Sequence, residues 1–157
     1  MTQESNGIQS LVNLLTDVIQ HRHKIKIYYK DIDQMGIVYY SRYFEFFEVA
    51  RTELLKSIGL DVTEIEKEGY FLPVISAHCN YRQGARFEEI IMIISSIKKL
   101  PHPTLRIDYE IQDFTTQKIL VTGYTDHAFI NQNDKPVRPP KNVISKLKKH
   151  LTRSGEE

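Results

Sequence analysis

The sequence has one cysteine, no tryptophan, no long apolar run and no excess of one charge, and each scarcity excludes something. Cys79 alone cannot close an intramolecular disulfide, which fits a reducing compartment, and it reads as a small buried hydrophobe in a strand rather than a nucleophile. No apolar stretch approaches the ~20 residues of a membrane-crossing helix, so no membrane insertion is expected. The first residues lack a basic start followed by an uninterrupted apolar segment, so secretion is not expected and cytoplasmic residence is. With 21 Lys and Arg against 20 Asp and Glu, the formal charge is +1, and no global field argues for nucleic acid. His21 and His23 form a His-x-His pair, but no acidic or cysteine ligands accompany them at recognisable spacing. The pair reads as the solvent-facing end of a strand, and neither a metal nor a cofactor is called for.

What is present is ordinary in bulk. The 157 residues, 41% hydrophobic and 26% charged, make one soluble domain large enough for a real core. Residues 1–22 read as an N-terminal helical extension, with Ile8, Leu11, Leu15, Val18 and Ile19 at helical spacing, and residues 23–157 as the domain itself. The extension packs most simply on its own chain.

The informative stretch is Asp31 to Leu60, a short loop carrying two carboxylates and a glycine, then an aromatic helix. From Arg42 to Ile58, at 100° per residue, Tyr43, Phe47, Ala50, Leu54 and Ile58 share one face, widened by Phe44 and Leu55. So wide an arc suits a helix wrapped by something concave. Arg51 projects into that arc, and a buried guanidinium needs a partner; Glu48 and Asp31 are the candidates. Asp31 and Asp33, two apart, point the same way in an extended segment, and Gly36 permits a turn of positive φ. The helix then starts near Tyr40 and Ser41, where unpaired N–H groups carry partial positive charge. A carboxylate just ahead of such donors can serve as a base or nucleophile beside an oxyanion site. It can equally cap a turn and face solvent.

The remaining elements follow in order. His23 to Tyr29 alternates as a strand. Gly59 ends the helix, and Thr63 with Glu66 suggests a capping box for a short helix to about Lys67, stopped by Gly69. Strands are expected at Phe71 to Tyr81, Phe87 to Ile97, Thr104 to Gln112 and Ile119 to Ile130, with a hairpin turn at Asp113 to Gln117. Ile90 to Ile94 reads as buried on both sides. Pro139 and Pro140 stop the last strand, and a basic helix follows whose apolar side is Val143, Ile144, Leu147 and Leu151.

The run Asp31-x-Asp33-x-x-Gly36-Ile37-Val38-Tyr39-Tyr40-x-x-Tyr43-x-x-Phe46-x-x-Val49-Ala50-Arg51 resembles the signature of the 4-hydroxybenzoyl-CoA thioesterase family, which includes the YbgC-type acyl-CoA thioesterases. The likeness continues through Phe71-Leu72-Pro73-Val74, Asn80-Tyr81 and Ala85-Arg86-Phe87, covering Lys24 to about Asn142. It implies an α+β hotdog fold: a long central helix wrapped by a curved antiparallel sheet. It further implies homodimers or homotetramers with active sites at the subunit interface.

By that resemblance the substrate is an acyl-CoA, cleaved to a free acid and CoA. Asp33 is the nucleophile or general base, and the backbone N–H near Tyr40 is the oxyanion donor. Gly36, Ile37, Val38, Tyr39 and Tyr43 are expected to line the substrate site, and Arg138 and Lys141 are the candidate cations for CoA phosphates. YbgC-type members commonly carry a histidine where this chain has Tyr40, so the chemistry rests more heavily on Asp33. A 4-hydroxybenzoyl-type member has a basic cluster where this chain reads Leu100-Pro101-His102-Pro103. Two other readings stand beside this one: Glu48 as the base on the central helix, and a non-catalytic hotdog module that binds acyl-CoA or an acyl carrier.

Overall fold

Alternation of period two begins at Ile19, not at His23. In the computed structural model, which describes residues 18–151, strand β1 runs Ile19–Lys26, so most of the expected N-terminal extension 1–22 lies outside the described residues and its last four residues, 19–22, belong to the sheet. His21 and His23 share a half-buried face with Ile25, while Arg22, Lys24 and Lys26 are exposed, so the histidines do not face solvent as expected. A helical period and a strand period are hard to separate where histidine occupies inward positions. No group of three or more His, Cys, Asp or Glu that could hold a metal occurs among the described residues.

A single 3-10 turn, Tyr29–Asp31, leads through the loop into helix α1, Arg42–Ser57, and short helix α2, Val62–Lys67. Strands β2, Val74–Tyr81, β3, Ile90–Ile97, β4, Leu105–Asp113, and β5, Ile119–His127, follow, then helix α3, Lys141–Leu151. The five strands form one antiparallel sheet in the order β1-β3-β4-β5-β2. No helix among the described residues is long and apolar enough to cross a membrane.

Several boundaries move, each for a local reason. The cap of α2 is Asp61, whose carboxylate accepts the Thr63 N–H at 2.9 Å, in place of the Thr63 and Glu66 box. Strand β5 stops at His127 well before Pro139; beyond it Ile130 makes only isolated bridges with Phe71 and Pro136. Only residues 93–97 of β3 are buried on both faces, and Ile90 is exposed. The β4–β5 hairpin turns where expected, with Asp113 Oδ1 accepting the N–H groups of Thr115 and Thr116 at 2.9 and 2.8 Å.

Helix α1 touches every strand: β1 and β3 along its length, β2 through Tyr43 and Tyr81, β4 through Phe47 stacked on Tyr109 at 4.2 Å, and β5 at Gly123. Five strands about 4.8 Å apart span some 19 Å, whereas a helix is about 10 Å across, so the sheet must curl around it. Gly123 lets the surfaces close: a Cβ there would clash with the His78 carbonyl and lie 2.8 Å from the Phe47 ring. Tyr43, Phe47, Ala50 and Leu54 are essentially inaccessible, and Phe46 joins them from a position the predicted arc omits.

Arg51 does not pair with Glu48 or Asp31. Asp31 faces Arg42 instead, 4.0 Å from its Nε, and Arg51 lies beside Tyr109, where its charge favours the phenolate against the effect of burial. That hydroxyl lies 2.7 Å from Thr125 Oγ1, which lies 2.9 Å from His127 Nε2, while His127 Nδ1 is 3.1 Å from the Leu72 carbonyl. A carbonyl only accepts, so Nδ1 carries the proton, Thr125 donates to Nε2, and Tyr109 donates to Thr125. A directed hydrogen-bond chain thus runs from Tyr109 to Leu72 across the core face of the sheet, with the Arg51 guanidinium beside its Tyr109 end.

Candidate active site

The loop between the 3-10 turn and α1 is built by its own backbone. Asp33 N–H donates to Ile37 O at 2.8 Å and Gly36 N–H to Asp33 O at 3.0 Å, closing a tight turn in which Gly36 adopts φ of +77°. Ile32 and Val38 bridge across its base, and Val38 N–H donates to Ala85 O at 2.9 Å, which fixes the loop to the segment after β2.

The two aspartates do not share a face. Asp31 closes the 3-10 turn, which rotates it inward: it is buried, and its Oδ2 accepts the Tyr28 N–H at 2.9 Å. Asp33 lies past that rotation and is half-buried, with Oδ1 accepting the Met35 N–H at 2.8 Å. Its Oδ2 has no hydrogen-bond partner among the described residues.

Asp33 lines a cavity of about 230 Å³ with Met35, Ile37, Val38, Tyr40, Tyr43, Tyr81, Arg82, Gln83 and Gly84. The wall is mostly apolar and aromatic. Tyr81 O–H donates to the Tyr40 carbonyl at 2.7 Å, and Tyr43 O–H accepts the Ala85 N–H at 3.2 Å. Burial pushes the phenols of both Tyr43 and Tyr81 up. Both stay neutral and act as hydrogen-bonding groups. Burial also raises the Cys79 thiol, so it carries little thiolate character. The N–H of Tyr40, at the approach to α1, has no partner among the described residues. The residues that line the cavity thus include one with an unpartnered carboxylate oxygen, one with a free backbone donor and several apolar ones, groups of the kinds used to attack a carbonyl carbon and hold an oxyanion.

Of the residues expected from sequence, Asp33, Ile37, Val38, Tyr40 and Tyr43 line this cavity, and Gly36 shapes its loop. Tyr39 is not in the wall; its exposed ring leans on Tyr40 at 4.6 Å. Arg138 and Lys141 are not in the wall either. They follow Val137, which is bonded to Phe129 beyond β5, and begin α3, whose Lys146 reaches the Gly59 carbonyl at the far end of α1. Glu48 lines a separate cavity of about 190 Å³ with Arg51, Glu66 and His127. Sequence reasoning missed Met35, Tyr81, Arg82, Gln83 and Gly84; Met35 and Tyr81 lay within stretches already noted, and the last four reach the wall only through the fold-dependent approach of the β2 end to the loop.

Comparison with known proteins shows the family and the fold. The model of the thioesterase-like superfamily matches residues 28–147. The acyl-CoA thioesterase YbgC of Haemophilus influenzae is 27% identical over 120 residues, covering 76% of this chain and 88% of that protein. Among solved structures, a DHNA-CoA thioesterase from Staphylococcus aureus superposes with a TM-score of 0.72 at 27% identity, covering 76% of this chain and 80% of that one. A hypothetical protein from Thermus thermophilus superposes with a TM-score of 0.75 at 29% identity, covering 82% and 95%. The wrapped helix, the sheet order and the family match agree, and the chain belongs to the thioesterase-like superfamily with the hotdog fold.

Proposed function

We propose that this protein is an acyl-CoA thioesterase whose reacting carboxylate is Asp33. The observation that carries the proposal is the placement of Asp33, with one unpartnered oxygen, in the same cavity wall as Tyr40, whose N–H is free at the approach to α1. The acyl chain lies against Ile37, Val38, Tyr43 and Tyr81, and its thioester oxygen meets the Tyr40 N–H. Asp33 Oδ2 either attacks the carbonyl carbon or takes a proton from a water that does. In the first route the C–S bond breaks to give CoA thiolate and a mixed anhydride, which water then hydrolyses. In the second, hydroxide adds, the C–S bond breaks, and the free acid leaves directly.

The same reading includes a homodimer or homotetramer. Strand β2 is an edge strand, exposed along nearly all of its length, and its Tyr81 end borders the cavity. Such an edge invites pairing with a second copy. Pairing there brings a partner's side chains to the open side of the site.

The deciding experiment is free-thiol release from aliphatic and aromatic acyl-CoAs by wild type and Asp33→Asn in parallel. A folded Asp33→Asn that has lost turnover supports the proposal, and the wild-type profile names the acyl class. Equal turnover in both moves the chemistry to another carboxylate such as Glu48. Tight acyl-CoA binding by a wild type that releases no thiol on any chain establishes a binding module instead.

A further inference from the structure

A second cavity, of about 420 Å³, lies on the other side of the same loop, between edge strand β1 and α1. It is lined by Lys24, Lys26 and Lys30, by Arg42 with the carboxylates of Asp31 and Glu45, and by Tyr28, with Ile25, Phe46 and Val49 completing it. Both carboxylates are committed to Arg42, Glu45 at 2.7 Å and Asp31 at 4.0 Å. No ion pair forms on the three lysines among the described residues; Lys24 lies 4.2 Å from the Phe114 ring centroid and Lys26 5.7 Å from that of Tyr28. A chain of near-zero net charge has thus gathered uncompensated cations in one groove. Like charges held together repel, and the repulsion is relieved by a polyanion.

A larger cavity, about 550 Å³, at the far end of β3 and β4 also carries Lys98, Lys99 and Arg106. There Arg106 is forked onto Asp126 at 2.8 and 2.9 Å and Lys98 lies 3.8 Å from Asp108, so its cations are largely neutralised. The strand between that cavity and the Asp33 loop is eight residues long, about 26 Å. The β1 groove is much nearer. Asp31 lines it and Asp33 lines the acyl cavity, two residues on and at most about 7 Å away along the chain.

We infer that the β1 groove is the phosphate subsite: Lys24, Lys26 and Lys30 hold the phosphates of the CoA nucleotide, and the exposed ring of Tyr28 offers a face to its adenine. The inference rests on the acyl-CoA reading of the Asp33 cavity and replaces Arg138 and Lys141 as the phosphate ligands. A pantetheine arm leads from the groove past the start of α1 to the thioester.

The test has two arms. In the first, binding of adenosine 3′,5′-bisphosphate is measured by calorimetry on the full chain, with inorganic phosphate as control, for wild type, the triple variant Lys24→Ala/Lys26→Ala/Lys30→Ala and the double variant Arg138→Ala/Lys141→Ala. The expected result is at least a tenfold loss of nucleotide affinity in the triple variant alone, and weaker binding of inorganic phosphate than of nucleotide. In the second, the ratio of kcat/KM for an acyl-CoA to that for the matching acyl-pantetheine falls about tenfold in the triple variant. Nucleotide affinity equal in wild type and triple variant, no nucleotide binding by wild type, or loss confined to the double variant overturns the assignment. Because the first arm contains no thioester, a protein that binds nucleotide through these lysines but releases no thiol refutes the hydrolase reading and leaves the groove assigned. The charge-reversing Lys30→Glu alone repeats the affinity loss should the triple variant fold poorly.

Discussion

The hydroxyl of Tyr81, at the end of β2, donates to the carbonyl of Tyr40, just ahead of α1, at 2.7 Å. Forty-one positions of sequence separate the two residues. The bond aligns the peptide that carries the free N–H by holding its neighbouring carbonyl. Tyr81→Phe keeps the ring in the cavity wall and removes only that restraint. A net hydrogen bond of about 1 kcal/mol predicts a fall of roughly fivefold in kcat, with KM within about twofold, read from steady-state kinetics on an acyl-CoA.

The free oxygen of Asp33 makes the choice of route measurable. Single-turnover hydrolysis in 18O-labelled water, followed by mass analysis of the peptide containing Asp33, places label in the aspartate and none in the released acid if Asp33 attacks carbon and water then opens the anhydride at the aspartyl carbonyl. Attack of water on the acyl carbon, in the thioester or in the anhydride, sends all label to the released acid, so label in Asp33 is expected only for the nucleophilic route.

Asp31 holds shape rather than doing chemistry. Its buried carboxylate satisfies the Tyr28 N–H and faces Arg42, so Asp31→Ala leaves that donor unpaired and costs about 1–3 kcal/mol, while Asp31→Asn, which keeps an acceptor, costs less. Urea denaturation of both variants checks the order.

His127 links stability to pH. Burial holds it below the ordinary histidine range, with Arg51 acting in the same sense, while its hydrogen bond to the Leu72 carbonyl and the nearby Asp126 charge oppose the shift. Glu48 and Glu66 line the same cavity. The folded state therefore binds fewer protons at this site than the unfolded chain, so stability is full above the unfolded value of about 6.5 and falls as pH drops through it. Protonation also reverses the Thr125 bond and leaves Tyr109 facing a guanidinium that cannot accept. Urea midpoints from pH 7 to pH 5 decline in wild type, and His127→Gln flattens that decline.

Gly123 is a packing position. Gly123→Ala forces the added methyl into the His78 carbonyl and the Phe47 ring, a misfit of about 1–3 kcal/mol or more. A lowered melting temperature, with the Phe47 contact to β4 loosened, is the expected outcome of calorimetry.

Much of the fold is legible in sequence because aromatic and aliphatic side chains on α1 repeat at helical spacing with few interruptions. The wall of the site is less so. Tyr43 is visible from that periodicity, but Tyr81 and Gly84 reach the cavity only when β2 lies beside the loop, and no local spacing reports this. The partner of Arg51 was not readable for a related reason. Charge complementarity on neighbouring positions points to Glu48, whereas the fold sets a phenol from β4 beside the guanidinium. The direction in which Asp31 points likewise depends on a single 3-10 turn, which a two-residue alternation cannot foresee.

That turn also separates two properties that a pair of adjacent carboxylates would otherwise confound. Since the Asp31 carboxylate holds the Tyr28 N–H and faces Arg42, while the Asp33 carboxylate makes one local bond, a substitution at Asp33 is expected, on the proposed reading, to stop turnover while leaving the cleft assembled. On that reading a single side chain divides a hydrolase from a receptor for the same thioester.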